Sequence, residues 1–153
     1  MKSPSCKTLT WGAAAVLLAL ASPAIAHNHH SLNGTWVLDP THCDFGGQPG
    51  FATGQLTISD LEHHIYISRT FAYDGTQGKS SYSFAADGNE NATIHEGKAL
   101  KYKARCDGDV LRVTITQEGV PTVEQYSLQP NGRLMVTVVR PGHGMMTLAF
   151  LRQ

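Results

Sequence analysis

The sequence has no apolar run of the roughly 20 residues that a membrane-spanning helix needs. Its longest such run begins at Trp11 and reaches only Ala21 before Ser22-Pro23 interrupts it. It has no basic excess either: 12 Lys and Arg stand against 12 Asp and Glu, so nothing supplies the counterion release that drives generic nucleic-acid binding. No long stretch holds apolar residues at helical spacing. Also missing are a Gly-x-Ser-x-Gly elbow, a His-Glu-x-x-His zinc helix, a phosphate loop, a dinucleotide fingerprint and a CxxC pair. These absences point to a protein without catalysis. What is present, 153 residues with 41% hydrophobic content and a net charge of zero, suits one globular domain and excludes disorder.

The N-terminus reads as an export signal. Lys2 and Lys7 form a basic region, Trp11 to Leu20 an apolar one, and Ser22-Pro23-Ala24-Ile25-Ala26 ends in the small-x-small pattern that signal peptidase cleaves. Residues 1–26 are therefore expected to leave, residues 27–31 to form a flexible His-rich start, and residues 32–153 to form the domain. The expected location is periplasmic or secreted, in a bacterial cell envelope. Losing Lys2 and Lys7 leaves 10 basic against 12 acidic residues, while all eight histidines stay.

Export also changes what the cysteines mean. Cys6 departs with the signal, and Cys43 and Cys106 remain as an even pair in an oxidising compartment. One disulfide is the simplest expectation; closing a loop of about 64 residues would stabilise the fold by roughly 4 kcal/mol. A reactive thiol or a pair of metal thiolates are the alternatives.

The rest alternates with period two. Leu56 and Ile58 oppose Thr57 and Ser59; Ile65, Ile67 and Phe71 oppose His64, Tyr66, Ser68 and Thr70; Tyr82 and Phe84 oppose Ser81 and Ser83. Tyr102, Ala104 and Cys106 face away from Lys101, Lys103 and Arg105, and Leu111, Val113 and Ile115 from Arg112, Thr114 and Thr116. Further strands run near Glu124 to Leu128, Arg133 to Arg140 and Met145 to Arg152. Asp74-Gly75, Asp87-Gly88, Asp107-Gly108 and Asn131-Gly132 supply hairpin turns between runs, and Phe45 to Gly54 reads as a flexible Gly/Pro loop. Eight to ten antiparallel strands must bury one face and protect their edges, which predicts a single all-β, up-and-down barrel, with a β-sandwich as the alternative. The outward basic residues oppose a lipid-facing barrel.

Leu32-Asn33-Gly34-Thr35-Trp36-Val37-Leu38-Asp39-Pro40 opens the domain and Leu148-Ala149-Phe150-Leu151-Arg152 closes it. A Gly-x-Trp on the first strand with a basic residue on the last resembles the lipocalin (calycin-type) signature. The segments "CDGDVLRVTIT" and "YSLQPNGRLMVTVVR" extend the likeness to small exported lipocalin-like proteins of bacteria. The resemblance implies a small barrel, closed at one end by Gly34, Trp36 and Arg152, that holds an apolar ligand. Ile65, Ile67, Tyr82, Phe84, Tyr102, Leu111, Val113, Val136 and Phe150 either line its interior or fill it.

A metal reading starts from the expected mature end, His27-Asn28-His29-His30. A free α-amine, two deprotonated amides and the His29 imidazole make a square-planar set that suits Cu(II) or Ni(II), and His30 adjoins it. His143-Gly144-Met145-Met146, with His42, Cys43 and His95, could add ligands only if folding converged them, and His63-His64 diverge on a strand. His95-Glu96 is an acid/base pair on the same condition. The expectation is a monomeric, exported, non-catalytic barrel that binds a small apolar or amphipathic molecule or serves as an envelope interaction module. The alternative is a periplasmic copper- or nickel-binding protein using His27 and His29; no cofactor is otherwise required.

Overall fold

The computed structural model describes residues 29–61 and 64–153. The expected signal peptide and His27 lie outside these, as do Glu62, His63 and the side chains of His29 and His30. After a 3-10 turn at His29–Leu32, ten strands follow: β1 (Gly34–Leu38), β2 (Thr53–Leu61), β3 (His64–Tyr73), β4 (Thr76–Ala85), β5 (Glu90–His95), β6 (Lys98–Asp107), β7 (Val110–Gln117), β8 (Val120–Leu128), β9 (Leu134–Val139) and β10 (Met146–Arg152). All pairings are antiparallel, and β1 joins β10, giving the order β4-β3-β2-β1-β10-β9-β8-β7-β6-β5. The expected up-and-down barrel is the one that forms, not the sandwich. Among the described residues no helix is long and apolar enough to cross a membrane.

The alternation read from the sequence sets the register. Ile58 pairs with Ile67, and Ile67 with Tyr82; Ala104 pairs with Val113, and Val113 with Glu124. A slip of one residue would turn each apolar set to solvent. Asp74-Gly75, Gly108 and Asn131-Gly132 sit in the turns expected of them. Asp74 (φ 45°) and Gly75 (φ 73°) are both left-handed, as a two-residue hairpin requires.

Asp87-Gly88 behaves differently from its expectation, because β4 and β5 do not pair and are the two edges of the sheet. The Asp87 carboxylate accepts from the Asn89 N–H at 2.9 Å and from Asn91 Nδ2 at 3.3 Å, and Gly88 N–H bonds to the carbonyl of Ala104 on β6. The link is thereby held across β6 and does not fold β5 back on β4. Side chains close the seam instead. Ala85 N–H donates to Tyr102 Oη at 3.3 Å, Phe84 meets Tyr102 edge to face at 5.0 Å, and Tyr82 stacks on His95 at 4.5 Å. Strand β5 has no period-two apolar pattern, since none of its residues is buried on either face and Ile94 is exposed. The turns at Glu96-Gly97 and Glu118-Gly119 also escape a search for Asp/Asn-Gly, with Glu96 and Glu118 at φ 50° and 52°.

One end of the barrel is sealed where β1 starts and β10 stops. Trp36 is fully buried, and its Nε1 donates to the Leu32 carbonyl at 3.0 Å. The Arg152 guanidinium lies 4.4 Å over the indole and donates to the carbonyls of Asn33 and Ser31 at 2.9 and 2.8 Å. Gly34 has φ +139°, and a Cβ there would stand 3.1 Å from Arg152 Nη1, so both conformation and space call for glycine.

The cysteines depart from expectation: Cys43 and Cys106 are both free thiols. Cys106 lies on β6, whereas Cys43 follows β1 and packs on β10, four strands away in the sheet order. Cys43 Sγ accepts from the Ala149 N–H at 3.2 Å and donates to the Asp39 carbonyl at 3.3 Å. Burial raises the Cys43 thiol pKa, and burial with the charges of Asp60 and Asp107 pushes Cys106 up to about 12. Neither thiol is therefore poised as a nucleophile or a thiolate ligand at neutral pH.

Replacing Arg152 by Ala should cost about 1–2 kcal/mol by removing the cation over the indole and its charged hydrogen bonds. Urea unfolding followed by Trp36 fluorescence reads this directly, and an unchanged midpoint would refute the sealing role.

Candidate functional site

At the other end the β3–β4 turn, the β9–β10 turn and the long β1–β2 connection come together. That connection begins with the 3-10 turn Pro40–His42 and is pinned at both ends. Asp44 and Thr147 exchange backbone hydrogen bonds at 2.7 and 2.8 Å, and Ala52 N–H bonds to the Ala72 carbonyl at 2.9 Å. Between the pins, Phe45 and Phe51 fold over the barrel mouth. Phe51 stacks on Phe71 at 4.4 Å, Phe45 meets Phe51 edge to face at 6.0 Å, and Phe71 lies 6.4 Å from Phe150 in the core. Gly54 makes this possible: a Cβ on it would come within 2.6 Å of the Phe71 ring.

Below this aromatic cover the barrel is full. Trp36, Ala104, Val113 and Leu134 present no surface that water can reach, so no water-sized void lies against them. Among the described residues, two of the recesses near the mouth are lined largely by inward-register side chains. The first, about 360 Å³, runs along the inner face of the β3–β4 hairpin and is lined by Phe51, Phe71, Tyr73, Gly78 and Ser80, with Arg69 on its floor and Lys79 at its rim. The second, about 260 Å³, lies under the β9–β10 turn against Thr122, Val138, His143 and Met146.

Arg69 is the polar centre. Its Nη1 and Nη2 bond to the two oxygens of Glu124, both at 2.9 Å, and Tyr126 Oη donates to Glu124 Oε2 at 2.5 Å. Among the described residues Glu124 is the one buried charged residue besides this arginine's partly covered head, and Arg69 also lies 5.3 Å over the Tyr82 ring. Burial by itself would lower the Arg69 pKa, but the facing Tyr126 and Glu124 reverse this, so it stays a cation. Burial raises the Tyr126 phenol well above its ordinary value, which keeps it a donor. The Arg69 Nε–H is buried and has no partner. Sequence reading missed this cluster; the available signal was a charge at an inward register position, Arg69 between Ile67 and Phe71, and Glu124 two residues before Tyr126.

The residues singled out for metal or acid/base chemistry do not converge. His42 sits outside the barrel, its Nδ1 2.7 Å from Asp39 Oδ2, where Arg133 also reaches at 3.4 Å. A hydrogen bond from Thr41, then His42 and Arg133, hold the Asp39 carboxyl below its usual range. His95 faces the seam at the β5 edge, 3.8 Å from an exposed Glu96 carboxylate. His143 and Met146 share the second recess, while Met145 points to solvent. Among the described residues no group of three or more His, Cys, Asp or Glu is placed to hold a metal ion.

No family model and no curated protein matches the sequence. Solved structures do. The chain superposes on the fluorescent protein UnaG with a TM-score of 0.62 at 16% identity, over 81% of this chain and 98% of that one. The fold is that of the calycin barrels. Secretory abundant heat soluble protein 4 from Ramazzottius varieornatus matches with a TM-score of 0.60 at 20% identity, covering 80% of this chain and 95% of its own. A fatty acid transporter described as REP1-NXSQ gives 0.60 at 14%, over 81% and 97%. At such identities the superpositions show the fold alone, a calycin-like antiparallel barrel, here with a short aromatic loop over its mouth.

Removing one member of a buried ion pair strands the other, at about 3–5 kcal/mol. Arg69→Met and Glu124→Gln should each destabilise on that order, and the double variant by clearly less than their sum. Additive losses in a denaturant-unfolding cycle would show the pair to be uncoupled.

Proposed function

We propose that the protein is a non-catalytic binding barrel that takes a small apolar or amphipathic molecule into the recess beneath Phe51. The observation that carries this is an apolar, aromatic-walled cleft of about 360 Å³ at the mouth of an otherwise filled barrel, near the lower end of ligand-site volumes of roughly 300–1,000 Å³. The calycin fold supports the reading, because the neighbours include a fatty acid transporter and a schistosome fatty acid binding protein holding arachidonic acid. The filled centre limits the ligand to the mouth and to modest size. The N-terminal signal pattern supports export to the periplasm or beyond, where a monomeric carrier or envelope interaction module would act.

Gly78 offers a direct test. Its missing side chain faces the cleft, and the nearest atom to a Cβ there is the Phe71 carbonyl oxygen at 4.0 Å. Gly78→Leu should fill the recess without loss of thermal stability and weaken binding of a medium-chain apolar ligand at least about tenfold, roughly 1.4 kcal/mol. Undiminished binding with an intact fold would move the site elsewhere.

A second reading rests on the sequence of the expected mature end. If cleavage follows Ala26, the His27 amine, two amides and His29 would chelate Cu(II) or Ni(II) in square-planar fashion, with His30 beside them. Titrating Cu(II) into the exported protein should then produce a visible d–d band that His29→Ala abolishes; the same band in that variant would exclude this site.

A further inference from the structure

We propose that the outer wall of β6 and β7 carries a second binding site, for a soluble phosphate monoester. Lys103 and Arg105 on β6, with Thr114 and Arg112 opposite them on β7, line a recess of about 220 Å³ on the outside of the barrel. Tyr102, Ala104 and Val113 on the same strands point the other way, into the core. The recess beneath Phe51 shares none of these residues, so the second site does not depend on the binding role proposed above.

Folding alone does not favour this arrangement. Arg105 and Arg112 are direct cross-strand partners, and like charges in that position destabilise a sheet. Neighbouring carboxylates answer only part of the charge. Lys101 bonds to Glu90 at 3.1 Å and Arg105 to Asp107 at 3.0 Å, whereas Arg112 reaches the neutral amide of Gln125 at 2.9 Å. Among the described residues Lys103 has no ion-pair partner, since Glu90, which stands opposite it, turns to Lys101. Asp87, next to the Gly88 that packs on Arg105, is held by Asn89 and Asn91, and Asp109 lies in the β6–β7 turn. Two cations, Lys103 and Arg112, are thus left without a carboxylate, and a phosphate monoester carries close to two negative charges at neutral pH. Arginine grips phosphate through paired N–H donors and lysine as a point charge, and the Thr114 hydroxyl adds a further donor. The zero net charge of the chain opposes a nucleic acid as the source of that phosphate.

Glycerol 3-phosphate titrated into the protein at low salt should shift the amide signals of Lys103, Arg105 and Arg112 in proton–nitrogen correlation spectra and leave Gly78, at the mouth, in place. Dimethyl phosphate, with a single charge, should bind at least about tenfold more weakly. Lowering the pH from about 7.5 to about 5 should weaken glycerol 3-phosphate several-fold as it loses its second charge, while sulfate, a dianion throughout, binds equally at both. Arg112→Gln should weaken binding at least about tenfold yet leave the urea midpoint unchanged or higher, an outcome that a merely structural arginine would not give. Equal binding of monoester and diester, or no shift of the three amides, would overturn the site. Should the protein instead sediment with phosphatidylcholine vesicles containing phosphatidate while glycerol 3-phosphate leaves it unmoved, the face belongs to a lipid surface and the soluble ligand is excluded.

Discussion

The pairing of β1 with β10 is the constraint from which the rest follows. Without it the strands would fall into two separate sheets, β1–β4 and β5–β10; with it, the register Trp36↔Arg152 and Leu38↔Phe150 joins them into one sheet that curls until its outer strands, β4 and β5, flank a side-chain seam. Strand β1 has only five residues, so few ladder bonds hold this join. Trp36 makes up the difference by filling the end of the barrel, tied to Leu32 below and roofed by Arg152. The last strand thus stabilises the first.

Closure forces a decision about the interior. A barrel of this size has room for its own side chains, and here Ile, Leu, Val and aromatic residues from nine strands occupy it, which leaves space only at the mouth. Among the described residues the polar cluster inside, Arg69 with Glu124 and Tyr126, sits beneath that space. Arg69, Glu124 and Tyr126 come from β3 and β8, strands far apart in the sheet order, so their contact exists only because the sheet is curled. Bonded to one another, they tie opposite walls together and give the recess a floor that is polar yet balanced in charge.

Much of this was legible beforehand. Ile65, Ile67, Tyr82, Phe84, Leu111, Val113, Val136 and Phe150 announce their inward positions by alternation, since a strand buried on one face repeats every second residue. Gly34, Trp36 and Arg152 were recognisable as an end seal from a motif. Less visible was whatever depends on partners distant in the chain. Strand β5 lies at an edge and lacks the alternation; Asp87-Gly88 carries a hairpin dipeptide but is drawn across to Ala104; and the even pair Cys43 and Cys106 suggested a bond that does not form.

The sequence alone determined the fold class, the inward face of most strands and the sealed end, because period-two burial and turn chemistry are local properties of neighbouring residues. Only the tertiary structure decided where the sheet stays open, that the two thiols remain unbonded, that the centre is filled, and that Arg69 meets Glu124. Those outcomes depend on how far the sheet bends before its first and last strands pair, and curvature is a property of the whole closed ladder that no single segment carries.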